Sequence, residues 1–124
     1  MNFRKKTICD IDVAGKRCLV RCDFNVPTDE RGNIEDDSRI VKTLPTIRYL
    51  LDHGASVILC SHIGRPKVGY EEKYSLKAVW LRLEELLNHN IYFLSEAVGS
   101  RAQIVASRLR PGEIMLLENV RFVF

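Results

Sequence analysis

Four short apolar runs recur along the chain, each as long as a β-strand and none with the strict alternation of a half-buried one. They are RCLVRC (17–22), ASVILC (55–60), NIYFLS (90–95) and EIMLLENV (113–120). Stretches with helical periodicity separate them. After a polar loop at 28–37, Ser38 precedes Ile40, Leu44, Ile47, Leu50 and Leu51, which fall on one helical face. Pro45 lies inside that pattern and is expected to kink or split the helix, and Gly54 to stop it. Ser75 is placed to cap a second helix, whose Leu76, Val79, Trp80, Leu83, Leu86 and Leu87 form a stripe. A weaker helix spans 100–109 and ends at Pro111-Gly112. Uninterrupted apolar strands alternating with amphipathic helices need cover on both faces, which only a parallel sheet with crossover helices supplies.

The expected class is therefore α/β, a Rossmann-like parallel sheet sandwiched by helices. At 124 residues one domain is expected, and 46% hydrophobic with 28% charged residues excludes a disordered chain. No run reaches the roughly 18 apolar residues of a membrane span, and the basic start lacks the apolar core of a secretory signal. Cys9, Cys18, Cys22 and Cys60 are too scattered for a disulfide scaffold. They read as thiols of a reducing compartment, so a cytoplasmic protein is expected. A net charge of +3 with interleaved acids argues against nucleic-acid binding. The pattern breaks off after its fourth strand, so the chain reads as a truncated domain.

In an open parallel sheet, ligands bind beyond the carboxyl ends of the strands. Strand one runs into Arg21, Asp23, Phe24 and Asn25, strand two into His62, Gly64, Arg65 and Lys67, and strand four into Glu118, Asn119 and Arg121. Arg21, Asp23 and Asn25 share a side if the extended conformation persists. Arg39 opens the first helix at the same edge, where it opposes the macrodipole unless an anion offsets it. Guanidinium forks grip phosphate and carboxylate bidentately, while Asp and Asn can orient a hydroxyl. The set suits a small polyanion bearing a hydroxyl. Each residue also has a plainer reading: a solvated arginine, a structural histidine, an Asp23–Arg21 ion pair, or Gly64 and Pro66 shaping a turn. Lys67, Lys73 and Lys77 read as solvated, and His53 and His89 as groups at helix C-termini. The sequence has no GxxxxGK[ST] or GxGxxG loop, no serine elbow and no metal-ligand spacing.

RCDFNVP, DDSRIVKTLPTIRYLLDHGASVILCSHIGRPK, KYSL and LLENVRF resemble, in order, the amino-terminal domain of phosphoglycerate kinase, from about Lys16 to Phe122. The resemblance implies reversible phosphoryl transfer between 1,3-bisphosphoglycerate and ADP, giving 3-phosphoglycerate and ATP in glycolysis. It implies a transferase that uses magnesium-bound ATP or ADP held by a separate carboxy-terminal domain. Asp23 and Asn25, with Phe24 between them, look like the residues that orient the substrate hydroxyl. His62, Gly64, Arg65 and Arg121 match the phosphate-binding positions, Arg21 joins the patch, and Arg39 matches the arginine that approaches the transferring phosphoryl group.

The family chain is much longer, so residues 1–124 correspond to a partial phosphoglycerate-binding domain without the nucleotide domain, expected to be inactive alone. The family sheet runs strand three, four, two, one and then continues. This leaves strand 18–22 as an exposed edge through which the fragment is expected to self-associate, the full-length enzyme being a monomer. Two readings compete with a kinase portion: a stand-alone phosphate-binding or regulatory module without catalysis, and an interaction protein using the strand edge.

Overall fold

The computed structural model describes residues 11–62, 75–95 and 99–119. Within them the elements alternate: β1 (Arg17–Arg21), α1 (Ser38–Asp52), β2 (Ser56–Cys60), α2 (Lys77–Leu87), β3 (Ile91–Leu94), α3 (Ser100–Arg108) and β4 (Ile114–Leu117). The strands pair in parallel in the order β1-β2-β4-β3, with Arg21 opposite Cys60 and Leu59 opposite Leu116. All four carboxyl ends therefore meet at one edge. Cys9, Gly64, Arg65, Pro66, Lys67, Lys73, Val120 and Arg121 lie outside the described residues.

One face of the sheet carries the main core. Val57, Leu59, Ile114 and Leu116 are fully buried there against Ile40 and Ile47 of α1 and Val79 and Leu83 of α2. Each such side chain contributes about 1.5–3 kcal/mol by leaving water. Ala102, Val105 and Ala106 of α3 cover Ile58, Met115 and Leu117 on the other face. That cover stops short of β1, where Leu19 is 68% exposed beside an apolar groove of about 270 Å³. Among the described residues the sandwich is complete on one face and half complete on the other.

Pro45 does not split α1, which runs unbroken through it. Proline cannot donate to the carbonyl of Val41, but both residues are exposed, so water can satisfy that carbonyl. The stop at Gly54 is a Schellman motif. Gly54, at φ +81, donates its N–H to Leu51 and Ala55 donates to Leu50, with Leu50 and Ala55 both buried. His53 caps this end, its Nδ1 2.8 Å from the Tyr49 carbonyl and its ring stacked on Tyr49. The loop after β1 is also ordered. Thr28 and Ile34 form an antiparallel bridge around Asp29, whose carboxylate accepts the N–H groups of Arg31 and Asn33.

Candidate functional site

The ladder between β1 and β2 ends with Cys22 donating its N–H to the Cys60 carbonyl. Beyond β1 a side chain takes over the backbone on both sides of Asp23. Ser61, 2% exposed, donates its hydroxyl to the Cys22 carbonyl (2.7 Å) and accepts the Phe24 N–H (3.0 Å). Burial then alternates: Cys22, Phe24 and Val26 are buried while Arg21 and Asp23 are exposed and Asn25 is half-buried, with a tight turn at Asn25 where Val26 donates its N–H to the Phe24 carbonyl. Arg21 and Asp23 thus lie on the exposed side, and Asn25 reaches Asp23 through its N–H at the turn. Phe24 belongs to the core, with no exposed surface, and so lies beneath the edge.

Arg39 arrives from the second position of α1. Its Nη1 donates to the Asn25 carbonyl at 2.7 Å and lies 3.6 Å from Asp23 Oδ1, which in turn accepts the Asn25 N–H. Both Arg39 contacts run through Nη1. The guanidinium is half exposed, so Nη2 and Nε can face a ligand. Acids offset its unfavourable place at the helix start. Asp36 accepts the Ser38 N–H, and this bond, with help from Arg39 and Lys42, holds its carboxyl below the usual range. Asp37 pairs with Arg82 of α2 at 2.8 Å, tying the start of α1 to its neighbour. His62 follows Ser61 directly and is half-buried at the end of β2. Asp23, Asn25 and Arg39 are thus in contact, and His62 stands at the same edge. Gly64, Arg65 and Arg121 fall outside the described residues.

Glu118 and Asn119 directly follow β4 and are buried. Glu118 is 3% exposed and binds the first turn of α2: it accepts the Ser75 hydroxyl (2.7 Å), the Leu76 N–H (2.8 Å) and the Asn119 N–H (2.8 Å). Ser75 passes the cap on by accepting the Lys77 N–H. A buried carboxylate at a helix N-terminus meets both the orphan donors and the dipole.

The family model for phosphoglycerate kinase matches residues 8–124. The chain belongs to the phosphoglycerate kinase family. It is 55% identical over 116 residues to the phosphoglycerate kinase of Campylobacter curvus, covering 94% of this chain and 29% of that protein. Against that of Chloroflexus aggregans it is 56% identical over 122 residues, covering 97% and 30%. Among solved structures, phosphoglycerate kinase from Pyrococcus horikoshii OT3 superposes with a TM-score of 0.85 at 34% identity, over 93% of this chain and 28% of that one. The Coxiella burnetii enzyme gives 0.79 at 35% identity. The chain thus spans about 30% of the length of these phosphoglycerate kinases.

Sequence reasoning assigned Ser61 and Glu118 no role in this phosphoglycerate kinase edge. The available signal was a polar residue directly after an apolar strand run, which is common in solvated strand ends as well. Cys18, Cys22 and Cys60 are free thiols: burial, and secondarily Cys60, pushes the Cys22 thiol up to about 12, and burial also raises Cys60. Neither is poised as a nucleophile.

Proposed function

We propose that the chain is the phosphoglycerate-binding portion of an enzyme that moves a phosphoryl group between 1,3-bisphosphoglycerate and ADP, forming 3-phosphoglycerate and ATP in the cytoplasm. The observation that carries this reading is the contact set Asp23–Asn25–Arg39 at the carboxyl edge of the sheet, where an exposed guanidinium stands beside two hydroxyl-orienting groups.

In this reading Asp23 and Asn25 hold the substrate hydroxyl, while His62, Arg65 and Arg121, with Arg21 beside them, take the phosphate. Arg39 approaches the carboxyl end. Phosphoryl transfer to a carboxylate needs no general base, because the attacking oxygen is already ionised; positioning and charge stabilisation carry the rate. Donors fixed beforehand near the transferring group supply that stabilisation, and Arg39 is so fixed by the Asn25 carbonyl.

In this reading the magnesium nucleotide is held outside residues 1–124. Among the described residues no group of three or more His, Cys, Asp or Glu is placed to hold a metal, and the sequence lacks a glycine-rich phosphate loop. Its binding is assigned to the part of the longer relatives beyond this match, and residues 1–124 alone are expected to transfer no phosphoryl group. No helix among the described residues is long and apolar enough to cross a membrane. The open edge of β1 is proposed as the surface through which isolated copies pair.

Titration of 3-phosphoglycerate, followed through backbone amide and arginine side-chain resonances, tests the reading. Arg39→Ala is expected to weaken binding about tenfold, the cost of one charge-assisted contact. Unchanged affinity in that variant, or no shifts at Asp23, Asn25 and His62 in the parent, would overturn it.

A further inference from the structure

The two hydrogen bonds of Ser61 fall on either side of Asp23. In a regular parallel ladder, a residue on one strand has the carbonyl before it and the N–H after it bonded to the backbone of a single partner residue. Continuing the register of Arg21 opposite Cys60, the carbonyl of Cys22 and the N–H of Phe24 would call for the backbone of residue 62. The Ser61 hydroxyl makes both bonds instead, as donor to Cys22 (2.7 Å) and acceptor from Phe24 (3.0 Å). One buried oxygen therefore stands in for a ladder rung.

One consequence follows at the same place. The backbone on both sides of Asp23 is held by a side chain after backbone pairing has ended. This aims the carboxylate outward, where Oδ1 meets the Asn25 N–H at 3.2 Å and Arg39 Nη1 at 3.6 Å.

We infer that Ser61 is a positioning residue for the phosphoglycerate site: its hydroxyl replaces the last rung of the β1–β2 ladder and thereby sets the Asp23 carboxylate beside Asn25 and Arg39. The inference rests on the substrate reading above. It also makes a claim about the unliganded chain, that the Asp23 backbone is extended because of this hydroxyl.

The test is a double-mutant cycle in the protein at its full natural length, with 3-phosphoglycerate as the probe. Ser61→Ala is expected to weaken binding about tenfold when Asp23 is present and less than about twofold in the Asp23→Asn background, since effects that run through a shared group are not additive. Ser61→Thr, which keeps the hydroxyl, is expected to restore most of the affinity. Ser61→Cys, nearly the same size and a poor hydrogen-bonder, takes the place of the alanine variant should that one not fold. An equal loss in both backgrounds would overturn the inference, because the hydroxyl would then support the fold without acting through Asp23. A loss of melting temperature with unchanged affinity would overturn it too. The amide-to-α-proton scalar coupling of Asp23 in the unliganded protein gives the independent readout. A large coupling that falls in Ser61→Ala supports the bracket, and an unchanged one refutes it. A parent protein that does not bind 3-phosphoglycerate, with the coupling change intact, would sink the substrate reading and leave the bracket standing.

Discussion

At the scale of single residues, short polar side chains hold the loops through which this chain meets solvent. Asp29 shows this most simply. Its carboxylate organises the turn after β1 by accepting the Asn33 and Arg31 N–H groups, and these bonds lower its pKa from the ordinary value. Because the folded pKa is depressed, the contribution is complete above the unfolded value of 3.8 and fades as pH falls through the lower folded one. Amide resonances of Arg31 and Asn33 are expected to stay constant from neutral pH to about pH 4 and to move together below it. Movement centred well above that range would show that the carboxylate is not held as described. Three aspartates, at 23, 36 and 37, surround the start of α1 and make the place of Arg39 there tolerable without a ligand.

Among the elements, α2 is the one whose placement depends most on a single distant group. Glu118 closes its first turn from 42 residues away, with three donors on one buried carboxylate. Glu118→Ala would leave the Leu76 and Asn119 N–H groups and the Ser75 hydroxyl without this acceptor in a dry site, at a cost of about 3 kcal/mol. Glu118→Gln keeps an acceptor oxygen and is expected to cost about 1 kcal/mol. Urea unfolding of the two variants checks the order, and equal midpoints for both and the parent would mean that the cap carries no stability. The stripe on α2 and its approximate start at Ser75 were readable from the sequence, since a serine before a periodic apolar run is a local signal. The partner at 118 was not readable, because a carboxylate after a strand gives no sign of which helix it will reach.

For the molecule as a whole, the decisive feature among the described residues is asymmetry between the two faces of the sheet. β1 is an outer strand, Leu19 is 68% exposed, and the groove beside it is apolar. Open edges of this kind pair with other chains. A two-fold antiparallel pairing centred on Leu19 would set Arg17 opposite Arg21 of the second copy, a like-charge contact that weakens it. Self-association of the 124-residue chain is therefore expected to strengthen as salt screens those charges, and Leu19→Lys to shift the chain toward monomer. Sedimentation velocity at low and high salt checks this. A compact, cooperatively melting monomer under both conditions would rule out pairing through β1.

The order of strands and helices, their approximate limits and the parallel class were determined by the sequence alone, because apolar run length and helical period are local quantities that later folding does not alter. The family relationship was equally legible, carried by contiguous motifs such as SHIGRP and LLENVRF. Tertiary structure decided what no single segment contains. It turned Phe24 inward and made Glu118 a helix cap. It let α1 pass through Pro45 because that side faces water, and it brought the Ser61 hydroxyl to both flanks of Asp23. Each of these depends on a contact between residues distant along the chain or on which side of an element meets solvent, and a hydrogen bond across 37 residues leaves no periodic trace in either partner's neighbourhood.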